Sequence, residues 1–202
     1  MTIDDLGARP LPNGAEARFV RVTAPDATYA GKLAAFFSHK GWPWVDDVAA
    51  VIAGRHGPEP SDTFHLAEIK GGPAASVWVS ASPKRPHTGL LGHVYTSPEM
   101  RRQGLAHELM LAAEQHFESR GGRRLLLSTD NPSAARLYER HGFRIVRGDL
   151  DAGDNCVMAR GAQAPQPAPD AGPLVRPAMR ADLADLVALY ALQGPLDAPL
   201  DW

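Results

Sequence analysis

Residues 89–117 read GLLGHVYTSPEMRRQGLAHELMLAAEQHF and combine an apolar strand, a short turn and a long helix. The helix is predicted from Leu105 to about Ser119, because its apolar residues recur at helical spacing on one broad face. A strand that feeds a helix through a glycine-containing turn directs unpaired backbone N–H groups and the positive end of the helix dipole toward one point. Gly104 allows a phosphate to approach the backbone closely. The stretch therefore predicts an anion site.

The pattern Arg101-x-x-Gly104-x-Ala106 is weak by itself, because many chance matches are ordinary helix starts. The neighbouring stretch strengthens it: residues 123–143 read RRLLLSTDNPSAARLYERHGF and contain Asn followed by Ala-x-x-x-Tyr-x-x-x-Gly-Phe. The Gly-x-Gly-x-x-Gly and Gly-Lys-Ser/Thr motifs of other nucleotide sites do not occur at the turn. Taken together, the two motifs resemble the GNAT superfamily of acyl-CoA-dependent N-acetyltransferases. The resemblance covers roughly Phe19 to Arg160.

The composition of the chain is that of an ordinary globular protein. With 202 residues, of which 44% are hydrophobic, it can bury the core of one domain. A net charge of −2 argues against general nucleic-acid or membrane-surface binding. A single cysteine, Cys156, excludes an internal disulfide and is typical of a reducing cytoplasm. No apolar run approaches the ~20 residues of a membrane span. We therefore expect a cytoplasmic protein.

The predicted order of elements is β-α-α-β-β-β-α-β-α-β-β, a mixed α/β (α+β) sheet with helices on both faces. The resemblance implies the same order, that of the GNAT acyl-CoA N-acyltransferase fold. Residues 1–17 are polar and rich in Gly and Pro, and they predict a flexible N-terminal arm. The acetyltransferase domain is assigned to 18–160 and a Pro-rich linker to 161–173.

Residues 174–202 form a separate problem, because they follow what looks like a finished domain. Leu174-Val175-Arg176 is similar to the opening Phe19-Val20-Arg21, about one domain length further on, and a predicted helix follows Asp182. One interpretation is the start of a second GNAT-like domain, which would make the chain the N-terminal half of a tandem protein. The other is an accessory strand and helix that pack on the first domain. Both remain open at this point.

The resemblance also implies how a coenzyme is held. Arg101 and Arg102 would meet its phosphates, and the backbone of 94–96 would pair with the pantetheine arm and polarise the acyl carbonyl. The alternative for 94–96 is that these residues complete a sheet ladder. The predicted coenzyme-binding residues are Val94, Tyr95, Thr96, Arg101, Arg102, Gln103, Gly104, Leu105, Ala106, Asn131, Ser133 and Tyr138.

Tyr138 matches the tyrosine that faces the coenzyme sulfur in this family and acts as general acid. A phenol with an ordinary pKa near 10 is a weaker acid than a thiol, so a hydrogen bond to the departing thiolate is favoured over complete proton transfer. The alternative is a packing role, since Tyr138 shares a helix face with apolar residues. Asn131 either caps this helix or caps it and also contacts the pantetheine arm.

The general base is not identified by the sequence. Many relatives carry a carboxylate on or near the central strand, but residues 88–95 contain none, and His93 is the titratable candidate there. A histidine in a strand is commonly structural, so Glu68, Asp130 or a water chain remain alternatives. The resemblance places the acceptor pocket between the first two helices and the sheet. It nominates four aromatic residues, each with core packing as the alternative: Phe36, Trp42, Trp44 and Trp78.

The predicted function is transfer of an acetyl group from acetyl-CoA, as co-substrate and without a metal, directly to an amine. The acceptor is a small molecule or a peptide, and a second GNAT domain or a homodimer is a possible partner. The alternative is a catalytically degenerate acyl-CoA-binding module that supports or regulates a partner domain. The missing strand carboxylate keeps this alternative open.

Overall fold

The computed structural model describes residues 3–41, 44–55, 61–162 and 180–192. These residues form eight strands and five helices, with short 3₁₀ turns at Pro98–Met100 and Arg180–Asp182. The strands are β1 (Ile3–Pro10), β2 (Glu16–Thr23), β3 (Ser61–Ile69), β4 (Gly72–Ala81), β5 (Thr88–Thr96), β6 (Arg124–Thr129), β7 (Arg144–Arg147) and β8 (Cys156–Gly161). The helices are α1 (Ala27–Phe36), α2 (Trp44–Ile52), α3 (Leu105–Ser119), α4 (Pro132–Arg140) and α5 (Leu183–Leu192).

The chain divides into two compact units. Unit 1 comprises Met1–Ser80 and Leu91–His116, and unit 2 comprises Ala81–Leu90 and Phe117–Trp202. In unit 1 the strand order is β1-β2-β3-β4-β5, with β2 antiparallel to both of its neighbours. In unit 2 the order is β5-β6-β8-β7; β5 is parallel to β6, and β8 is antiparallel to β6 and β7. The predicted mixed sheet is confirmed.

Helices cover both faces of the sheet in unit 1. The ring of Phe64 on β3 lies 6.2 Å from that of Phe37, which follows α1. The next residue, His65, has its ring 5.5 Å from that of His116 on α3. Because successive strand residues point to opposite faces, α1 and α3 lie on opposite sides of this part of the sheet. The helix α1 is capped by Asp26, whose carboxylate accepts hydrogen bonds from the first turn.

The prediction of a flexible arm at residues 1–17 is wrong. Ile3–Pro10 forms the edge strand β1, and it pairs with β2 from Ile3↔Val22 to Pro10↔Glu16. The polar composition was misleading because an edge strand is held by backbone hydrogen bonds and needs few apolar side chains. Its charged side chains form ion pairs across the hairpin, such as that of Asp5 with Arg18 at 2.9 Å.

In unit 2, the helix α5 lies against β6 and β7. Its Ala184 and Val187 are buried, and Arg85 forms ion pairs with Asp182 and with Asp185. The predicted helix after Asp182 is therefore present, and it packs on strands of unit 2. The predicted strand at Leu174-Val175-Arg176 and all but the first residues of the predicted linker lie outside the described residues.

Candidate functional site

The 101–106 turn, between β5 and α3, has an unusual backbone. Arg102 has φ of 63° and Gly104 has φ of 81°. A non-glycine residue with positive φ is uncommon and costs of order 1–3 kcal/mol, which surrounding contacts must offset. In the described part of the chain, the N–H groups of residues 102–106 donate to no backbone acceptor. The turn therefore presents a run of unpaired donors at the positive end of α3.

The surroundings of this turn suit an anionic ligand. A Cβ atom built on Gly104 meets no atom within 4 Å, so the space beside the backbone is open. Arg101 and Arg102 are exposed, and Arg101 Nε donates to the Thr96 carbonyl at 3.3 Å, which orients its guanidinium group. Open space, free donors and flanking cations fit the pyrophosphate of a coenzyme.

The central strand β5 bends at His93, where φ is 46°. The His93 carbonyl accepts a hydrogen bond of 2.7 Å from Ser76 Oγ. The parallel register of β5 with β6 consists of three pairs, from Thr88↔Arg124 to Leu90↔Leu126. The bend at His93 immediately precedes the stretch 94–96, whose residues are half-buried. A local bend of this kind re-aims backbone groups away from a regular ladder.

Six rings of unit 1 form what we call the aromatic cluster. The Tyr95 ring lies 5.3 Å from that of Phe36 and stacks on that of His39 at 3.9 Å. The His93 ring lies 5.5 Å from that of Phe37 and 5.2 Å from that of Trp78. Four of the residues predicted from the sequence are thus brought together: Phe36, Trp78, His93 and Tyr95. Trp42 and the side chain of Trp44 lie outside the described residues.

The cluster is partly exposed, and its deeper part is fixed by a carboxylate. Phe37 and Trp78 are buried, Phe36, His93 and Tyr95 are half-buried, and His39 is exposed. Asp62 is buried and accepts a hydrogen bond of 3.0 Å from Trp78 Nε1. Sequence reasoning missed Asp62, because β3 also carries Ser61, Thr63, His65 and Glu68 and one more polar residue there gives no distinct signal.

His39 was also missed, since one histidine after a helix carries no recognisable pattern. Its Nδ1 lies 2.9 Å from the Phe36 carbonyl oxygen. Because a carbonyl accepts, Nδ1 carries the proton, and in the neutral ring Nε2 is then an acceptor. The stack with Tyr95 and this hydrogen bond together define the ring orientation.

Two other titratable residues of unit 1 have environments that argue against a role as base. Glu68 is 4% exposed and pairs with Lys32 at 3.3 Å and with Arg18 at 3.4 Å. Burial, reinforced by the Glu68 charge, raises the pKa of Tyr29 to about 12. His65 is completely buried, and desolvation, with smaller effects from His116 and Arg21, lowers its pKa to about 3. Glu68 is thus committed to ion pairs and His65 is inaccessible.

The remaining predicted residues lie in unit 2. Asn131 Oδ1 accepts hydrogen bonds from the backbone N–H of Ser133 at 2.9 Å and of Ala134 at 3.3 Å, so the predicted cap of α4 is present. Asn131, Ser133 and Asp130 are exposed. The capping bonds use the carbonyl oxygen of Asn131, which leaves its amide NH₂ group as a donor.

Tyr138 is 7% exposed, and its ring lies 6.1 Å from that of Phe143. Burial raises the pKa of Tyr138 to about 12. The phenol is therefore neutral at physiological pH and keeps a proton that it can donate in a hydrogen bond. Complete transfer of its proton to a thiolate of ordinary pKa is uphill by roughly 5 kcal/mol. Within the described residues, no hydrogen-bond partner of the Tyr138 hydroxyl is seen.

None of the helices in 3–41, 44–55, 61–162 and 180–192 is both long and apolar enough to cross a membrane. No group of three or more metal-ligating His, Cys, Asp or Glu side chains occurs in that part of the chain.

Comparisons with known proteins identify the family. A model of the acetyltransferase (GNAT) family matches residues 28–143. An acetyltransferase of Agrobacterium fabrum is 34% identical over 79 residues, which cover 33% of this chain and 58% of that protein. The chain thus matches rather more than half the length of this relative.

Two solved structures show the same fold at low sequence identity. The GNAT domain of S. lividans PAT is 15% identical, with a TM-score of 0.55 and coverage of 77% of this chain and 96% of that domain. An acetyltransferase from Streptococcus agalactiae is 14% identical, with a TM-score of 0.56 and coverage of 71% of this chain and 98% of that protein.

Proposed function

We propose that the chain, which belongs to the acetyltransferase (GNAT) family, transfers an acetyl group from acetyl-CoA directly to an amine. The observation that carries this proposal is the 101–106 turn, with its unpaired N–H groups, open space at Gly104 and two exposed arginines. Such a turn at a helix start directs backbone N–H groups and the positive end of the helix dipole at a phosphate. The turn is therefore assigned to the coenzyme pyrophosphate.

The coenzyme supplies an acyl group that is activated as a thioester. The chain holds it through the N–H groups of the turn, with Leu105 and Ala106 at the start of α3, and through Arg101 and Arg102. The backbone of 94–96, after the bend at His93, is proposed to pair with the pantetheine arm, and one of its N–H groups to polarise the acyl carbonyl. In unit 2, the amide NH₂ of Asn131 and the N-terminus of α4 at Ser133 are proposed as further contacts.

Tyr138 is proposed to donate a hydrogen bond to the sulfur as the thiolate leaves. Its raised pKa keeps the proton on the phenol, so the benefit comes from a bond that tightens in the transition state. His93 is proposed as the base that accepts the proton of the amine, because it is a half-exposed imidazole within the aromatic cluster. Glu68 is instead buried and engaged in ion pairs with Arg18 and Lys32.

The acceptor is proposed to lie against the aromatic cluster, in contact with Phe36 and the rings beside it. Trp42 and Trp44 keep the acceptor role predicted from the sequence. The acceptor class is a small-molecule or peptide amine, and the reducing cytoplasm remains the predicted location.

A panel of amines, assayed by release of free thiol from acetyl-CoA, tests this function. We expect amine-dependent thiol release that His93→Gln reduces at least ten-fold. Thiol release that no amine stimulates, in a protein that binds CoA by calorimetry, would favour the alternative of a coenzyme-binding module. That alternative retains one supporting observation, the absence of a carboxylate in residues 88–95.

A further inference from the structure

The tip of the β1–β2 hairpin contacts the 101–106 turn directly. The backbone N–H of Asn13 donates to Gln103 Oε1 at 3.1 Å. The tip itself is well ordered by hydrogen bonds, from Leu11 N to Ala15 O at 2.8 Å and from Ala15 N to Asn13 Oδ1 at 3.1 Å. The side chain of Gln103 is therefore occupied by the hairpin, and its backbone remains available to a ligand.

A second contact joins the hairpin to the first turn of α3. Arg9, near the end of β1, forms an ion pair with Glu108. The Arg9 guanidinium group also lies 5.1 Å from the centre of the Phe19 ring, on the neighbouring strand, which limits its freedom. The hairpin thus contacts both the 101–106 turn and the first turn of α3, through residue pairs 90 and 99 positions apart in sequence.

The negative charge of Glu108, in the first turn of α3, is unfavourable for an anion site at the start of this helix. A carboxylate in the first turn of a helix stabilises the helix by interacting with its dipole. It also competes with any anionic ligand for the same positive end and repels that ligand. An ion pair with Arg9 neutralises this charge and holds the carboxylate toward the hairpin.

The backbone of the turn also needs support. Arg102 has a left-handed conformation that a non-glycine residue adopts at a cost, and the next residue, Gln103, is the one anchored by Asn13. A turn held in its binding conformation before the ligand arrives binds more tightly, because less of the ligand's binding energy is used for ordering.

We infer that the β1–β2 hairpin is a positioning element of the coenzyme site. Asn13 holds the turn through Gln103, and Arg9 neutralises Glu108 so that the helix start accepts a polyphosphate. The inference rests on the proposed coenzyme role of the 101–106 turn.

The test is calorimetric titration of the full chain with coenzyme A. The variants are Arg9→Ala, Arg9→Lys, Glu108→Gln and Arg9→Ala/Glu108→Gln. Asp4→Asn is the matched control, because Asp4 forms an ion pair from the same strand, with Arg21 at 2.8 Å, away from the turn. Melting temperatures show whether each variant folds, and Arg9→Gln replaces Arg9→Ala if the latter does not.

Substitutions of the two partners of this ion pair are expected to change coenzyme A affinity in different directions. Arg9→Ala should weaken coenzyme A binding about two- to five-fold, because an unpaired carboxylate then faces the phosphates. Glu108→Gln should bind as tightly as the parent or more tightly, the double variant should match Glu108→Gln, and Arg9→Lys and Asp4→Asn should match the parent.

Two outcomes overturn the inference while leaving the proposed function intact. One is equal weakening by Arg9→Ala and Glu108→Gln, which identifies a merely structural ion pair. The other is an Arg9→Ala affinity equal to that of the parent. A folded parent that does not bind coenzyme A overturns the proposed function, and the inference with it.

Discussion

The two units present their candidate residues in different ways. In unit 1, Arg102 and His93 have positive φ, and both belong to the predicted site. In unit 2, Asn131, Ser133 and Tyr138 belong to a regular, capped helix. Backbone strain persists where surrounding contacts over-determine it, and it concentrates at functional positions. The unit 1 part of the site therefore depends on tertiary support, whereas the unit 2 part follows from local structure.

The largest effect is expected in unit 1, from Gly104→Glu. This change places a side chain and a negative charge in the open space beside the turn, at a residue with φ of 81°. Coenzyme A affinity should fall at least about a hundred-fold, because repulsion and backbone strain act together. Calorimetric titration measures this loss of coenzyme A affinity. Gly153→Glu is the matched control, since Gly153 has φ of 83° and equally open surroundings in unit 2. Equal affinities of Gly104→Glu and parent would remove the turn from the coenzyme site.

A smaller effect is expected in unit 2, from Tyr138→Phe. The ring and its packing against Phe143 remain, so the melting temperature should change little. The kcat with a true acceptor should fall about ten-fold or more, because the hydrogen bond to the leaving sulfur is lost.

The pH dependence of this loss sharpens the prediction. A phenol with a pKa of about 12 stays protonated to high pH, so the ratio of parent to variant kcat should stay constant from about pH 7 to pH 10. A ratio that shrinks toward pH 10 would indicate a phenol of ordinary pKa. An unchanged kcat at every pH would leave Tyr138 as a core residue.

A several-fold effect is expected in the aromatic cluster of unit 1. Phe36→Ala removes a half-buried ring that contacts Tyr95 and Phe37. The KM for the acceptor should rise about five-fold, because an aromatic contact contributes of order 1 kcal/mol beyond its buried area, while the Kd for coenzyme A stays unchanged. Leu111→Ala is the control, since Leu111 is an exposed apolar residue of α3. A changed coenzyme Kd with an unchanged acceptor KM would contradict the acceptor role of the cluster.

The smallest effect is expected when the tail of unit 2 is removed. A chain that ends at Gly161 loses the buried Val187 and Ala184 and the ion pairs of Arg85. Burial of such side chains contributes about 2–3 kcal/mol, so the melting temperature should fall by roughly 5–10 °C with coenzyme A binding retained. Arg85→Gln should lower it by less, since exposed ion pairs contribute little. Loss of the cooperative thermal transition would show that α5 is integral to unit 2 and would exclude a separate second domain.

Much of the fold was predictable because its helices and strands follow from local sequence patterns. The predicted bounds of α3, Leu105–Ser119, agree with those of the structure, since apolar spacing and the preceding Gly104 define them. Asn131 and Pro132 were expected to begin α4, and the observed capping hydrogen bonds confirm this. The main error was β1, because a polar edge strand has no local signature and is defined by its partner β2.

The family, the order of the elements from β2 to β8 and the 101–106 turn were all predictable, because each depends on residues that are neighbours along the chain. The tertiary structure decided the bend at His93, the aromatic cluster with Asp62 and His39, and the contact of Asn13 with Gln103. Those features join side chains and backbone groups from separate strands and helices. Their geometry follows from packing and from the need to pair buried polar groups, and neither is visible in the periodicity of one segment.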